Sequence, residues 1–256
     1  MRIALIACRV FSRELNYYAS QSPHAVELTW LPQGLHTYPD RLRQTVQSTI
    51  VELERQYAAK ESHFEADVIA LGYGLCSNGV IGLKAGKLPL VVPRTDDCIA
   101  VFLGSQERYL NLFNQMRGCY WLNNGWIEYG WLEEGHVPSS EMLTQRRNEY
   151  AEKYGEDNAD FLIETEMSWI GNYHTCAYIE STVYDCPKYR ETARRFADEN
   201  KWERQTVSGD HRMLRMLTDG TWNDEEFLVV PPGYRIAPLY DGRKMAAEQA
   251  RPAEKQ

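Results

Sequence analysis

The chain has 256 residues, enough for one large domain or two modest ones with a real core. It is 43% apolar and 25% charged, and 36 acidic against 28 basic residues leave a formal net charge of −8. That balance argues against a nucleic-acid or anionic-membrane surface. No run reaches the ~20 apolar residues of a membrane span. Arg2 is followed by only five apolar residues before Cys8 and Arg9, which reads as a first strand rather than an export signal. A cytoplasmic protein is therefore expected, with its six cysteines reduced.

In chain order, strand and helix patterns alternate. A strand is expected over 2–8, a short helix over 12–19 and a strand over 25–30. Pro39 pre-sets the first turn of the clearest helix, where Leu42, Val46, Ile50, Leu53 and Tyr57 recur every three or four residues. Apolar runs over 66–71 and 88–92 suit parallel strands covered on both faces. Ser105 suits the N-cap of a helix that Gly118 ends, and Cys119 to Leu122 reads as a strand. The segment 124–174 differs. It carries Trp126, Tyr129, Trp131 and Trp169, a turn at Pro138-Ser139-Ser140 and a charged helical stretch from Glu141 to Lys153. Strand–helix alternation then resumes to a last strand, Phe227 to Val230, stopped by Pro231-Pro232-Gly233. This reads as an α/β protein with a Rossmann-like parallel sheet, a rhythm that permits two similar lobes and a helical, aromatic-rich insertion. The expected segments are an α/β lobe over 1–123, the insertion over 124–174, a second α/β segment over 175–236 and a polar, mobile tail over 237–256.

Right-handed crossovers give the order 2-1-3-4 for the first four strands. Cys8, Cys76 and Cys98 each follow one of these strands, and His36 follows another. Ligands bind outside the carboxyl ends of such strands. Three thiols and an imidazole converging there suit zinc, and three thiols alone suit catalytic zinc or an iron–sulfur cluster with an open iron. No CxxC pair supports this, and buried cysteine often serves only as a small hydrophobe. Gly72, Gly74 and Gly79 resemble a cofactor-binding phosphate loop or let the backbone approach a ligand closely, although their spacing is not a dinucleotide fingerprint. Arg94, Asp96 and Asp97 precede Cys98. Their carboxylates fit a base, a ligand-orienting role or a plain turn. Trp121 and Trp126 suit stacking on a flat tetrapyrrole or an aromatic interface of a homo-oligomer. Cys119 and Cys186 have no evident partner, while His174 and Cys176 share a strand face.

Several blocks carry a resemblance: Ile6-Ala7-Cys8, Leu31 to His36, Leu71 to Gly79, Pro93-Arg94 with Asp97-Cys98, and Phe227 to Gly233. With these, the chain over about residues 1–236 resembles the domain-of-unknown-function family DUF1638. The family pattern has His-Asp-Cys where this chain has Asp96-Asp97-Cys98. The resemblance implies a genomic setting near corrinoid-dependent methyl-transfer systems, and so one-carbon metabolism.

The leading expectation is a metal-dependent transferase acting on a small molecule. Cys8, Cys76, Cys98 and His36 would hold zinc or a cluster, His36 alternatively serving as acid or base, with Arg94 and Asp97 orienting substrate. The resemblance adds a corrinoid and a corrinoid-protein or methyltransferase partner. The alternatives are a non-catalytic tetrapyrrole- or metal-binding accessory module, and a thiol redox protein exchanging Cys8 and Cys76 through a depressed thiol pKa.

Overall fold

A computed structural model describes residues 1–130 and 140–250, so Trp131 and the turn at Pro138-Ser139 lie outside the described residues. The chain forms two compact units. The first comprises Met1–Asn111, Ser181–Val183 and the chain from Ser208; the second comprises Leu112–Glu180 and Tyr184–Val207. No described helix is long and apolar enough to cross a membrane.

The first unit opens with β1 (Arg2–Cys8), α1 (Ser12–Gln21), β2 (Ala25–Leu31) and α2 (Pro39–Ala58). It continues through β3 (Val68–Gly72), β4 (Leu90–Pro93) and α3 (Cys98–Phe102). Helix α4 (Gln106–Gln115) follows and carries the chain onward into the second unit. Ile3 to Ala7 and the whole of β3 and β4 are buried, as expected for strands covered on both faces. Helix α2 starts at Pro39 and buries Leu42, Val46, Ile50 and Leu53, the stripe that its periodicity predicts. Strands β1, β2, β3 and β4 are parallel, in the order β2-β1-β3-β4.

The second unit holds β5 (Cys119–Asn123), α5 (Asn124–Glu128), α6 (Ser140–Tyr154), α7 (Glu156–Met167), β6 (Thr175–Glu180), α8 (Pro187–Glu199) and β7 (Glu203–Ser208). Its strands form a separate sheet in the order β5-β6-β7, with β5 and β6 parallel. Tyr120, Tyr178, Phe196 and Trp202 build its core with Leu122 and Cys176, and the Tyr120 ring centroid lies 5.4 Å from those of Tyr173 and Phe196. These aromatic side chains thus serve packing.

The chain then returns to the first unit through α9 (Arg212–Asp219), β8 (Phe227–Val230), β9 (Tyr234–Pro238) and β10 (Met245–Gln249). Strand β8 adds antiparallel to β4, closing the first sheet as β2-β1-β3-β4-β8. The units do not follow the linear segments expected from the sequence: β5 pairs with β6, whereas β8 pairs with β4 from the opposite end of the chain. Nor is the region after 237 a mobile polar tail throughout. Strands β9 and β10 pair antiparallel, and Met245 is fully buried.

Candidate functional site

The three thiols follow the carboxyl ends of β1, β3 and β4, three neighbouring strands of the first sheet. Cys8 is the last residue of β1, in register with Leu31 of β2. Its chain turns through a short 3-10 segment, Arg9–Phe11, directly into α1. Cys76 lies in the turn after β3, where Cys76, Ser77 and Asn78 have φ of +45°, +57° and +64°. A left-handed conformation costs a non-glycine residue roughly 1–2 kcal/mol, so three in succession must be held by their surroundings. Leu75 N–H donates to Thr95 O at 2.8 Å and Cys76 N–H to Asp96 O at 2.9 Å, zipping this turn to the one after β4. Cys76 O in turn accepts from Gly79 N–H at 3.0 Å.

Cys98 is the first residue of α3, directly after the turn that follows β4. Asp97 is the N-cap, its Oδ1 accepting from Ile99 N–H at 2.9 Å and Ala100 N–H at 3.3 Å. Two otherwise unpaired helix N–H groups are satisfied this way.

Burial pushes all three thiols up, Cys8 to about 11 and Cys76 and Cys98 further. Cys76 is raised next by the charges of Asp97 and Cys8, and Cys98 by those of Asp97, Cys76 and Cys8. The thiols therefore stand within electrostatic reach of one another. Backbone N–H groups act in the opposite sense: that of Val10 on Cys8, those of Gly74 and Cys98 on Cys76, and that of Cys98 on its own sulfur. Burial also raises Asp97, to about 6, against the hydrogen bonds from Ala100 and Ile99. A depressed thiol, which exchange between Cys8 and Cys76 requires, is the reverse of this arrangement. Among the described residues, no group of three or more His, Cys, Asp or Glu side chains is arranged to hold a metal ion.

The other candidates fall as follows. His36 lies half-buried on the 3-10 turn Leu35–Thr37 after β2, one strand over from Cys8. Arg94 is buried and spends its guanidinium on backbone carbonyls: Asp224 at 2.9 Å, Phe227 at 3.2 Å, Arg243 at 3.1 Å, and Met245. These bonds tie β8 and β10 to β4. Asp96 accepts from Lys244 Nζ and Gln106 Nε2, both at 2.6 Å.

The space beside each candidate glycine is filled by protein. A Cβ on Gly72 would lie 2.5 Å from Ala7 Cβ, on Gly74 2.5 Å from Thr95 Oγ1, and on Gly79 2.4 Å from Leu42 Cδ2. Close approach is what these glycines allow, and the partner is the protein's own chain. Trp121 and Trp126 lie buried in the second unit, on β5 and α5. In that unit Cys119 and Cys176 are buried and raised to about 12, mainly by burial.

Sequence reading weighs Gly72 and Gly74 and passes over Tyr73 between them. Tyr73 is buried, and the charges of Cys8, Cys76 and Cys98 all act on its hydroxyl. A bulky aromatic flanked by two glycines that pack against neighbouring backbone is the signal that marks it.

No curated protein matches the chain, and no solved structure does. A family model described as a protein of unknown function, DUF1638, matches residues 30–218. The match takes in His36, Tyr73, Cys76 and Cys98 and begins after Cys8, so it is shorter than the resemblance over 1–236. It covers well over half of the sequence, and the chain belongs to the DUF1638 family.

Proposed function

We propose that Cys8, Cys76 and Cys98 form a thiolate centre for zinc or an iron–sulfur cluster, and that this centre serves group transfer on a small molecule. The observation that carries the reading is that three free thiols follow three adjacent strand ends, with Cys8 acting electrostatically on Cys76 and both acting on Cys98. Backbone N–H groups directed at the sulfurs support it, because such hydrogen bonds stabilise metal thiolates and tune clusters. Left-handed backbone at three successive residues supports it too, since strain of this kind concentrates at functional sites.

Bound metal would supply a Lewis acid or an open iron. The chain's own residues hold and orient. Asp97 fixes the start of α3 and with it Cys98, and the bonds between the turns after β3 and β4 fix Cys76. Binding requires the thiol side chains to turn toward one another. His36 remains the candidate fourth ligand or acid–base group from the turn after β2. Methyl transfer with a corrinoid-linked partner is the first reaction to test, on the strength of the setting that the family resemblance implies. The accessory-module reading draws on Trp121 and Trp126, whose burial gives it no separate support.

The test is metal and acid-labile sulfide analysis of protein purified without oxygen, with Cys8→Ser and Cys76→Ser in parallel. Zinc at about one per chain, lost in both variants, supports a Lewis-acid centre. Iron with sulfide, lost likewise, supports a cluster. Wild-type protein without metal or sulfide sinks the reading.

A further inference from the structure

Buried polar atoms without a hydrogen-bond partner are uncommon in folded proteins, and each one asks for an explanation. Here such atoms follow the ends of the neighbouring strands β3 and β4, and of β2 on the far side of β1. Both amide atoms of Gln33 are buried and unpartnered just beyond β2. The Tyr73 hydroxyl is so beyond β3, and Thr95 Oγ1 beyond β4. Tyr73 is 3% exposed and Thr95 is fully buried. The backbone on either side is committed, because Leu75 N–H donates to the carbonyl of Thr95 itself. The two hydroxyls therefore sit on turns that are fixed to each other, and all three thiols act on Tyr73.

We infer that Tyr73 donates its hydroxyl hydrogen to an oxygen of a small polar ligand bound against Cys8, Cys76 and Cys98, with Thr95 as a further polar contact. This rests on the thiolate-centre reading and names the class of molecule that the centre takes. The set consists of neutral donors and acceptors. Arg94 is committed to backbone carbonyls and Lys244 to Asp96. A small oxygen-bearing molecule, such as a carboxylate or an alcohol, matches such a set; a flat apolar ring would leave every one of these atoms unpaired. Polar atoms left unpaired cost stability, a cost that binding sites commonly carry.

Two measurements test Tyr73→Phe, which removes only the oxygen. In cobalt(II)-loaded protein, acetate is titrated while the ligand-field bands are followed. The variant should keep its cobalt and bind acetate about 10-fold more weakly, the loss expected for one hydrogen bond to a charged acceptor. Equal affinity in the two proteins overturns the inference, and so do bands that acetate leaves unchanged in the wild type. In metal-free protein, Tyr73→Phe should leave Tm unchanged or raise it, because no internal bond is lost. A fall of more than about 4 °C would mean that the hydroxyl serves the fold, again overturning the inference. A wild-type protein that takes up no cobalt counts against the thiol centre itself, while the melting comparison still decides the role of Tyr73.

Discussion

Ala7 and Gly72 are register partners across β1 and β3, and the Ala7 methyl occupies the place that a side chain on Gly72 would need. A Cβ at position 72 would lie 2.5 Å from Ala7 Cβ and 3.2 Å from Ala7 Cα. The two strands that end in Cys8 and lead to Cys76 are set close together by this pair. Gly72→Ala should destabilise by ~1–3 kcal/mol, the usual cost of overpacking a filled core. Placing the same change in an Ala7→Gly background should recover part of the loss. Urea unfolding of both single variants and the double variant measures the coupling, and strict additivity would contradict the contact.

Asp97 offers a cleaner separation of roles. Its carboxylate caps α3 at Ile99 and Ala100. Asp97→Ala should cost ~1 kcal/mol, whereas Asp97→Asn, which keeps an acceptor oxygen, should cost only a few tenths. Chemical denaturation of the two variants checks the order. Equal losses would show that charge rather than capping is what the position supplies.

Arg94 holds the C-terminal strands in place. Its guanidinium serves carbonyls of Asp224, Phe227, Arg243 and Met245. Arg94→Met strands those buried acceptors and should cost at least ~2 kcal/mol. Limited proteolysis should then cut within residues 239–244 faster than in the wild type. An unchanged cleavage rate would show that β9 and β10 are held without it.

His211 gives the protein a pH dependence of definite sign. The ring is 2% exposed, Nδ1 lies 3.2 Å from the Thr182 hydroxyl, and the Tyr18 and Phe102 rings stand edge-on to it. Burial lowers its pKa from 6.5 to about 4, against the charge of the neighbouring Asp210. A base depressed in the folded state contributes stability that is full above 6.5 and is lost as pH falls through about 4. The gap corresponds to roughly 3 kcal/mol. Unfolding free energies measured from pH 7 to pH 4 should fall by about this much more in the wild type than in His211→Asn; parallel curves would refute the assignment.

Local signals made much of the first unit legible. Pro39 and the stripe Leu42, Val46, Ile50 and Leu53 mark α2, and continuous apolar runs mark β1, β3 and β4. The handedness of crossovers then orders the sheet. Phe227 to Val230 is just as plainly a strand, yet nothing in four apolar residues says that it pairs antiparallel with β4. Cys119 to Asn123 is equally clear and equally silent about belonging to another sheet. Met245 was hidden because the surrounding residues 240–244 are polar, and only its burial beside the carbonyls that Arg94 binds reveals β10.

The site divides in the same way. Positions of Cys8, Cys76 and Cys98 after three strands follow from the sequence, because strand ends are set by hydrophobic periodicity and by turn residues, which act over a few neighbours. The sequence alone also determines the α/β class and the parallel core. Tertiary structure decided that the glycines pack against the chain itself, that Arg94 anchors backbone, that Asp97 caps a helix, and that Tyr73, Thr95 and Gln33 carry unpaired polar atoms. Those facts depend on which distant segments exclude water from one another, and burial and hydrogen-bond satisfaction exist only once the chain has closed on itself.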